Sequence, residues 1–65
     1  MSHWHYQLML HPDGTFAIHE LYHIGEWGGV TENPVTVTGE SIEDVKKSLM
    51  LMLKDIDKYG VKDYD

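Results

Sequence analysis

Hydrophobic and polar residues alternate over residues 3–11, where His, Gln or Met separates the aromatic and aliphatic positions. Strict alternation over this length predicts a half-buried strand, because successive side chains of a strand point to opposite faces. Two further strands are predicted, over residues 15–24 and 30–38. Pro34 has no backbone N–H to donate, so it marks the start or the edge of the third strand.

A tight turn at residues 12–14 joins the first two predicted strands. Pro12 suits the first corner of a type I turn, and Gly14 suits the left-handed position that follows. A three-residue loop places His11 opposite Thr15, so the numbers of all paired residues sum to 26. One face of the hairpin, the aromatic face, then carries Trp4, Tyr6, Leu8, Leu10, Phe16, Ile18, Glu20 and Tyr22. Glu20 either reaches water or the Tyr6 hydroxyl at the sheet margin, or is a buried carboxylate and a candidate functional group. We expect the helix to pack on this face.

One amphipathic helix is predicted over residues 42–58. Ser41 is a good N-cap, with Asp44 three residues later, and Gly60 is a suitable C-terminal stop. At about 100° per residue, the inward stripe consists of Ile42, Val45, Leu49, Leu53 and Ile56.

Leu51 breaks the helical pattern, because it points among the charged residues. Met50 and Met52 flank the apolar stripe on either side. Either these residues are ordinary helix formers, since single exposed leucines are common, or Met50, Leu51 and Met52 extend the apolar face into a contact with a second chain. Trp27, in the glycine-rich stretch before the third strand, is either a lid on the core edge or part of a binding surface.

The order strand, strand, strand, helix predicts an α+β fold: a three-stranded antiparallel sheet with one helix packed on one face. The whole chain, residues 1–65, is expected to form a single small domain. Residues 61–65 are short and acidic, and we expect them to fray.

Composition excludes several classes of protein. The net charge is −6, all five basic residues are lysines, and there is no cysteine. Nucleic-acid binding, thiol catalysis and thiolate zinc sites are therefore not expected. No apolar run approaches the length of a membrane helix and no signal peptide is recognisable, so a cytoplasmic protein is predicted. A core this small supplies only about 3–5 kcal/mol, which favours self-association as a homo-oligomer.

Four histidines share the second face of the hairpin, here called the histidine face: His3, His5, His19 and His23. No element of the predicted fold covers this face. Imidazoles at such spacing are suitable ligands for zinc, copper or nickel. The alternative is a set of solvated histidines with no cofactor, because no acidic residue is clearly placed to orient the rings. No catalytic constellation is recognisable, so the chain is not expected to be an enzyme. A small enzyme using His19 or Glu20 is a further alternative, which requires these groups to converge with others in a pocket.

Residues 35–45 (Val-Thr-Val-Thr-Gly-Glu-Ser-Ile-Glu-Asp-Val), after a hairpin with Asp13-Gly14 at its turn, resemble the core of HicB-type antitoxins. The resemblance implies a partial ribonuclease-H-like fold without ribonuclease activity, an oligomer, and inhibition of a small toxin nuclease. The Pro-Gly turn usual before the third strand of that family is absent here. No DNA-binding element of the family is matched, so DNA binding is not implied.

Three further segments are similar to a group of small bacterial and phage proteins of unassigned activity: residues 16–20 (Phe-Ala-Ile-His-Glu), 31–35 (Thr-Glu-Asn-Pro-Val) and 39–41 (Gly-Glu-Ser). The sequence as a whole predicts a non-catalytic, self-associating protein-binding module, such as an acidic inhibitor or antitoxin-like factor. The alternative is a histidine-based metal-binding protein.

Overall fold

The computed structural model describes residues 3–24 and 27–64. In chain order the elements are β1 (His3–Leu10), β2 (Phe16–Ile24), β3 (Trp27–Val30), α1 (Ile42–Tyr59) and β4 (Val61–Asp63). The described strands form one sheet in the order β3-β2-β1-β4. Over the described residues the fold is α+β with one helix, as predicted, but the sheet is mixed and has four strands, because β4 pairs parallel to β1.

The hairpin register is confirmed. β1 and β2 pair antiparallel from His3 opposite His23 to Leu10 opposite Phe16. The turn depends on Gly14, whose φ of +89° lies in the left-handed region that glycine adopts without strain.

The side chain of Asp13 also stabilises this turn. Its carboxylate accepts hydrogen bonds from the Thr15 hydroxyl at 2.7 Å and from the Thr15 backbone N–H at 3.0 Å. Because both bonds favour the charged carboxylate, they lower the pKa of Asp13 below its ordinary value. The loop chemistry read from the sequence therefore determines which residues of the two strands face each other.

The third strand is shorter and earlier than predicted, since β3 ends at Val30 and residues 31–38 contain no strand. The chain nevertheless continues beside β2: the Thr31 N–H donates to the Glu20 carbonyl (3.0 Å), and the Val35 N–H donates to the Ile18 carbonyl (2.8 Å). Pro34 lies between these two bonds and has no N–H, so a regular ladder cannot extend through it.

The helix begins as predicted and extends one residue further, to Tyr59. The Ser41 hydroxyl accepts a hydrogen bond from the Asp44 N–H at 3.1 Å, and the Gly60 N–H donates to the Ile56 carbonyl at 2.9 Å. Gly60 has a φ of +68°, which turns the chain directly out of the helix into β4. The expectation that residues 61–65 fray was therefore wrong for Val61–Asp63, which pair with Leu8–Leu10.

The more deeply buried face of the hairpin is not the one predicted, and most residues of the aromatic face are only half-buried. The most buried side chains of β1 and β2 are His5, Gln7, Met9 and His19, all on the histidine face. Trp4 and Phe16, on the aromatic face, are exposed. The prediction of an uncovered histidine face was wrong, because the C-terminal end of the chain brings aromatic rings against it.

The helix is also rotated relative to the predicted stripe. Met52 is buried, Val45 and Ile56 are half-buried, and the helix lies against β1. Ile42, Leu49 and Leu53, which were predicted to face inward, are between 50% and 74% exposed. At about 100° per residue, the inward side lies about 60° from the centre of the predicted stripe.

Candidate functional site

The first cluster on the histidine face contains His3, His5, His23 and Tyr59. His23 Nε2 lies 3.0 Å from His5 Nδ1, and the ring of His3 stacks on that of His23 with centroids 4.7 Å apart. Tyr59, the last residue of α1, stacks on His5 with centroids 3.5 Å apart and planes inclined by 12°. Half-burial, with His3, His5 and Lys62 nearby, lowers the pKa of His23.

Gln7 determines how the protons of this cluster are arranged. Its amide nitrogen donates to the Leu8 and Gly60 carbonyls at 3.0 and 2.9 Å, which requires its Oε1 to face His5 Nε2, 3.0 Å away. Since an amide oxygen only accepts, His5 Nε2 carries a hydrogen. A neutral His5 therefore accepts at Nδ1, and the donor is His23 Nε2–H.

A second cluster contains His11, His19 and Tyr64. His19 is fully buried, and its Nδ1 lies 2.8 Å from the Thr31 carbonyl oxygen, to which it must donate. Its Nε2 lies 2.8 Å from His11 Nε2. The Tyr64 ring stacks on His11 with centroids 4.4 Å apart. This cluster joins the turn after β1, the strand β2, the segment after β3 and the residue after β4, so it serves as a polar part of the core.

The four histidines predicted as metal ligands do not converge. His3, His5 and His23 stack on one another, whereas His19 lies in the other cluster and bonds to His11. Within residues 3–24 and 27–64, no three His, Asp or Glu side chains are arranged to hold a metal ion. His11 was missed as a partner, although the predicted register placed it on the histidine face at the end of β1.

A cleft of about 470 Å³ lies over the histidine face. Met9 and Leu21 line it together with Val30 from β3 and Lys62 from β4. Both edge strands of the sheet border the same cleft, so the sheet curls around the histidine face. This curvature helps to explain why polar residues of that face are buried although α1 is the only helix described.

Ile42, Leu49 and Leu53 form an exposed line along α1, here called the α1 ridge. At about 100° per residue these side chains lie within about 20° of one direction, roughly a quarter turn from the inward side of the helix. Met50, which is 70% exposed, lies beside the ridge.

The predicted interface residues separate in the structure. Met50 adjoins the α1 ridge, whereas Leu51, 54% exposed, points to the opposite side of the helix. Met52 is buried inside the chain, so its assignment to an exposed interface was wrong. Trp27 begins β3, but its side chain lies outside the described part of the chain. The sequence pattern did not reveal the ridge, because its residues look like an ordinary inward stripe.

Comparison of the chain with protein-family models, with curated proteins and with solved structures finds no match. Across the described residues, α1 is too polar to count as a membrane-crossing helix, and no other helix is a candidate.

Proposed function

We propose that the chain is a non-catalytic protein-binding module that self-associates through the α1 ridge. The observation that carries this proposal is the distribution of large apolar side chains. Among the described residues, the buried ones are Met9 and Met52, whereas Ile42, Leu49 and Leu53 of the ridge are half or more exposed. An exposed apolar strip rimmed by charged residues is typical of a protein contact surface.

The ridge is large relative to the core. Fully burying one aliphatic side chain contributes about 2 kcal/mol, so burying the exposed parts of the ridge and Met50 would contribute about 5 kcal/mol per copy. The net stability that a core of this size supplies rarely exceeds about 3–5 kcal/mol, so the ridge is a substantial apolar surface even before the cost of association is subtracted. Another copy of the chain is always available to bind the α1 ridge, so we favour a second copy as its partner.

The histidine clusters support a structural role for the polar residues of the interior. In the described part of the chain, each buried side-chain nitrogen and oxygen has a hydrogen-bond partner. His5 and His19 are each bonded at both ring nitrogens, so neither offers a free nitrogen for proton transfer to a substrate. These bonds favour a binding module over an enzyme.

The charge of −6 suggests which other proteins a self-associated module would engage. An acidic surface attracts basic partners and speeds their association. Together with the resemblance of residues 35–45 to HicB-type antitoxins, this favours an acidic inhibitor or antitoxin-like factor.

Sedimentation analysis over a wide range of protein concentration tests the proposal. We expect a concentration-dependent oligomer, and we expect Leu49→Asp to weaken association by about thirtyfold or more. Leu51→Asp is the matched control, because it introduces the same charge at a similarly exposed leucine on the opposite side of α1. Circular dichroism would establish that both variants remain helical.

Two results would contradict the proposal. A wild-type chain that stays monomeric at high concentration would refute self-association. An equal loss of association in both variants would show that the ridge is not the contact surface.

A further inference from the structure

We propose that two copies pair their α1 helices antiparallel about a two-fold axis near Leu49, with Glu43 of each copy facing Lys54 of the other. This inference rests on the proposed self-association through the α1 ridge. It adds the direction of the helices and the charges that select it.

Only one flank of the ridge is available to a partner. On one side of the ridge lie Val45 and Ile56, which are half-buried within their own chain. On the other side lie Lys46, Met50, Asp57, Glu43 and Lys54, all of them exposed. When two helices pair through the ridge, this exposed, charged flank is therefore the one that can face the partner.

The symmetry of the pair determines which flank of the partner the charged flank faces. When two identical helices pair antiparallel about a two-fold axis, each flank meets the same flank of the partner; in a parallel pair it meets the opposite one. A parallel pair would set the charged flank against the partner's Val45 and Ile56, where the partner's own sheet already lies. The antiparallel pair brings the two charged flanks together. It also turns the two Val45 and Ile56 flanks toward each other, so the contact must be centred on the charged side of the ridge, away from both sheets.

The charges along the flank fit that direction. In an antiparallel pair, facing residues have a constant sum of numbers. Glu43 and Lys54 sum to 97, and Leu49 facing itself sums to 98, so both contacts fit one register to within a residue. Because the contact is symmetric, the Glu43–Lys54 pair occurs twice.

The existing partner of Glu43 does not compete strongly. Within one chain its carboxylate lies 3.9 Å from the Lys46 ammonium, and both side chains are highly exposed. Such i,i+3 surface pairs contribute little, so Glu43 is free to exchange this contact for one across the interface. Lys46 can then lay its aliphatic stem over the partner's Leu53, since their numbers sum to 99.

Charge reversal tests the direction of pairing. We expect Glu43→Lys and Lys54→Glu each to weaken self-association by about tenfold, because each places like charges opposite one another twice. The double variant carrying both changes should restore association. An equimolar mixture of the two single variants should form mixed dimers in preference to either homodimer, as measured by native mass spectrometry.

Lys58→Glu is the control, because it changes the net charge as Lys54→Glu does but lies about 160° from the ridge. Glu43→Lys can also destabilise the start of α1. The preference for mixed dimers still reports the direction of pairing, because it compares mixed dimers with homodimers of the same variants. Association of the wild type without any preference for mixed dimers would overturn the antiparallel pairing while leaving self-association intact. A monomeric wild type would overturn both.

Discussion

Replacing Gln7 by Met should remove much of the stability of the fold. The Gln7 side chain is fully buried and makes three hydrogen bonds: to the Leu8 carbonyl, to the Gly60 carbonyl and from His5 Nε2. Met has a similar length and an apolar end, so Gln7→Met removes all three bonds while filling most of the same volume.

The expected fall in the free energy of unfolding can be estimated from the hydrogen bonds that Gln7→Met removes. Each hydrogen bond contributes about 1 kcal/mol net, and a buried polar group left without its partner costs about 1–3 kcal/mol. We therefore expect the free energy of unfolding to fall by about 3 kcal/mol. That loss is comparable with the total of about 3–5 kcal/mol that a core of this size supplies.

Urea unfolding followed by circular dichroism measures this loss. It must be done at one protein concentration, because the proposed self-association would stabilise the folded state by mass action. Lys47→Met is the matched control: it places Met at an exposed helical position, where a change within about 0.5 kcal/mol is expected.

Amide exchange provides a local readout of the same substitution. The Tyr64 N–H donates to the Leu10 carbonyl at 2.9 Å, and it should lose protection once Gly60 is no longer held by the Gln7 amide. A loss of less than about 1 kcal/mol, with unchanged exchange at Tyr64, would refute the role assigned to Gln7.

Three further substitutions test other parts of the fold. Ser41→Ala should cost about 1 kcal/mol in urea unfolding, because it removes the acceptor for the Asp44 N–H. Gly39→Ala should cost about 1–3 kcal/mol in the same assay, because its new Cβ would lie 2.8 Å from the Asp44 Cβ; an unchanged midpoint would contradict this. Burial and its neighbours lower the pKa of His23, so this residue binds fewer protons in the folded chain than in the unfolded chain. Its contribution to stability should therefore fall as the pH drops below the ordinary histidine value of 6.5. Thermal melts across pH should show a smaller fall for His23→Gln.

The features that the sequence predicted correctly are those with local causes. The register of β1 and β2 follows from Pro12 and Gly14 at the turn, and the start of α1 follows from Ser41. Each of these signals acts within a few residues. The pairing of β1 with β2 therefore matches the predicted register at every residue from His3 to Leu10.

The features that the sequence did not predict depend on distant parts of the chain. Val61–Asp63 has no alternating pattern, and it becomes a strand because Gly60 turns the chain alongside Leu8–Leu10. The burial of His5 and His19 could not be inferred from polarity, because its cost is offset by distant partners: His23 on β2 bonds to His5, and the Thr31 carbonyl bonds to His19. Tyr59 and Tyr64 stack on His5 and His11, so the histidine face rather than the aromatic face carries the most buried side chains.

Gly60 alone separates α1 from β4. Because a single residue links them, α1 and β4 have little freedom to move independently. The Gln7 amide restricts the link further by donating a hydrogen bond to the Gly60 carbonyl. A torque applied to the helix by a bound copy would therefore be transmitted to β4 and would widen or narrow the cleft that β4 borders. If two copies pair through the α1 ridge as proposed, the geometry of that pairing and the width of the cleft are therefore coupled through Gly60.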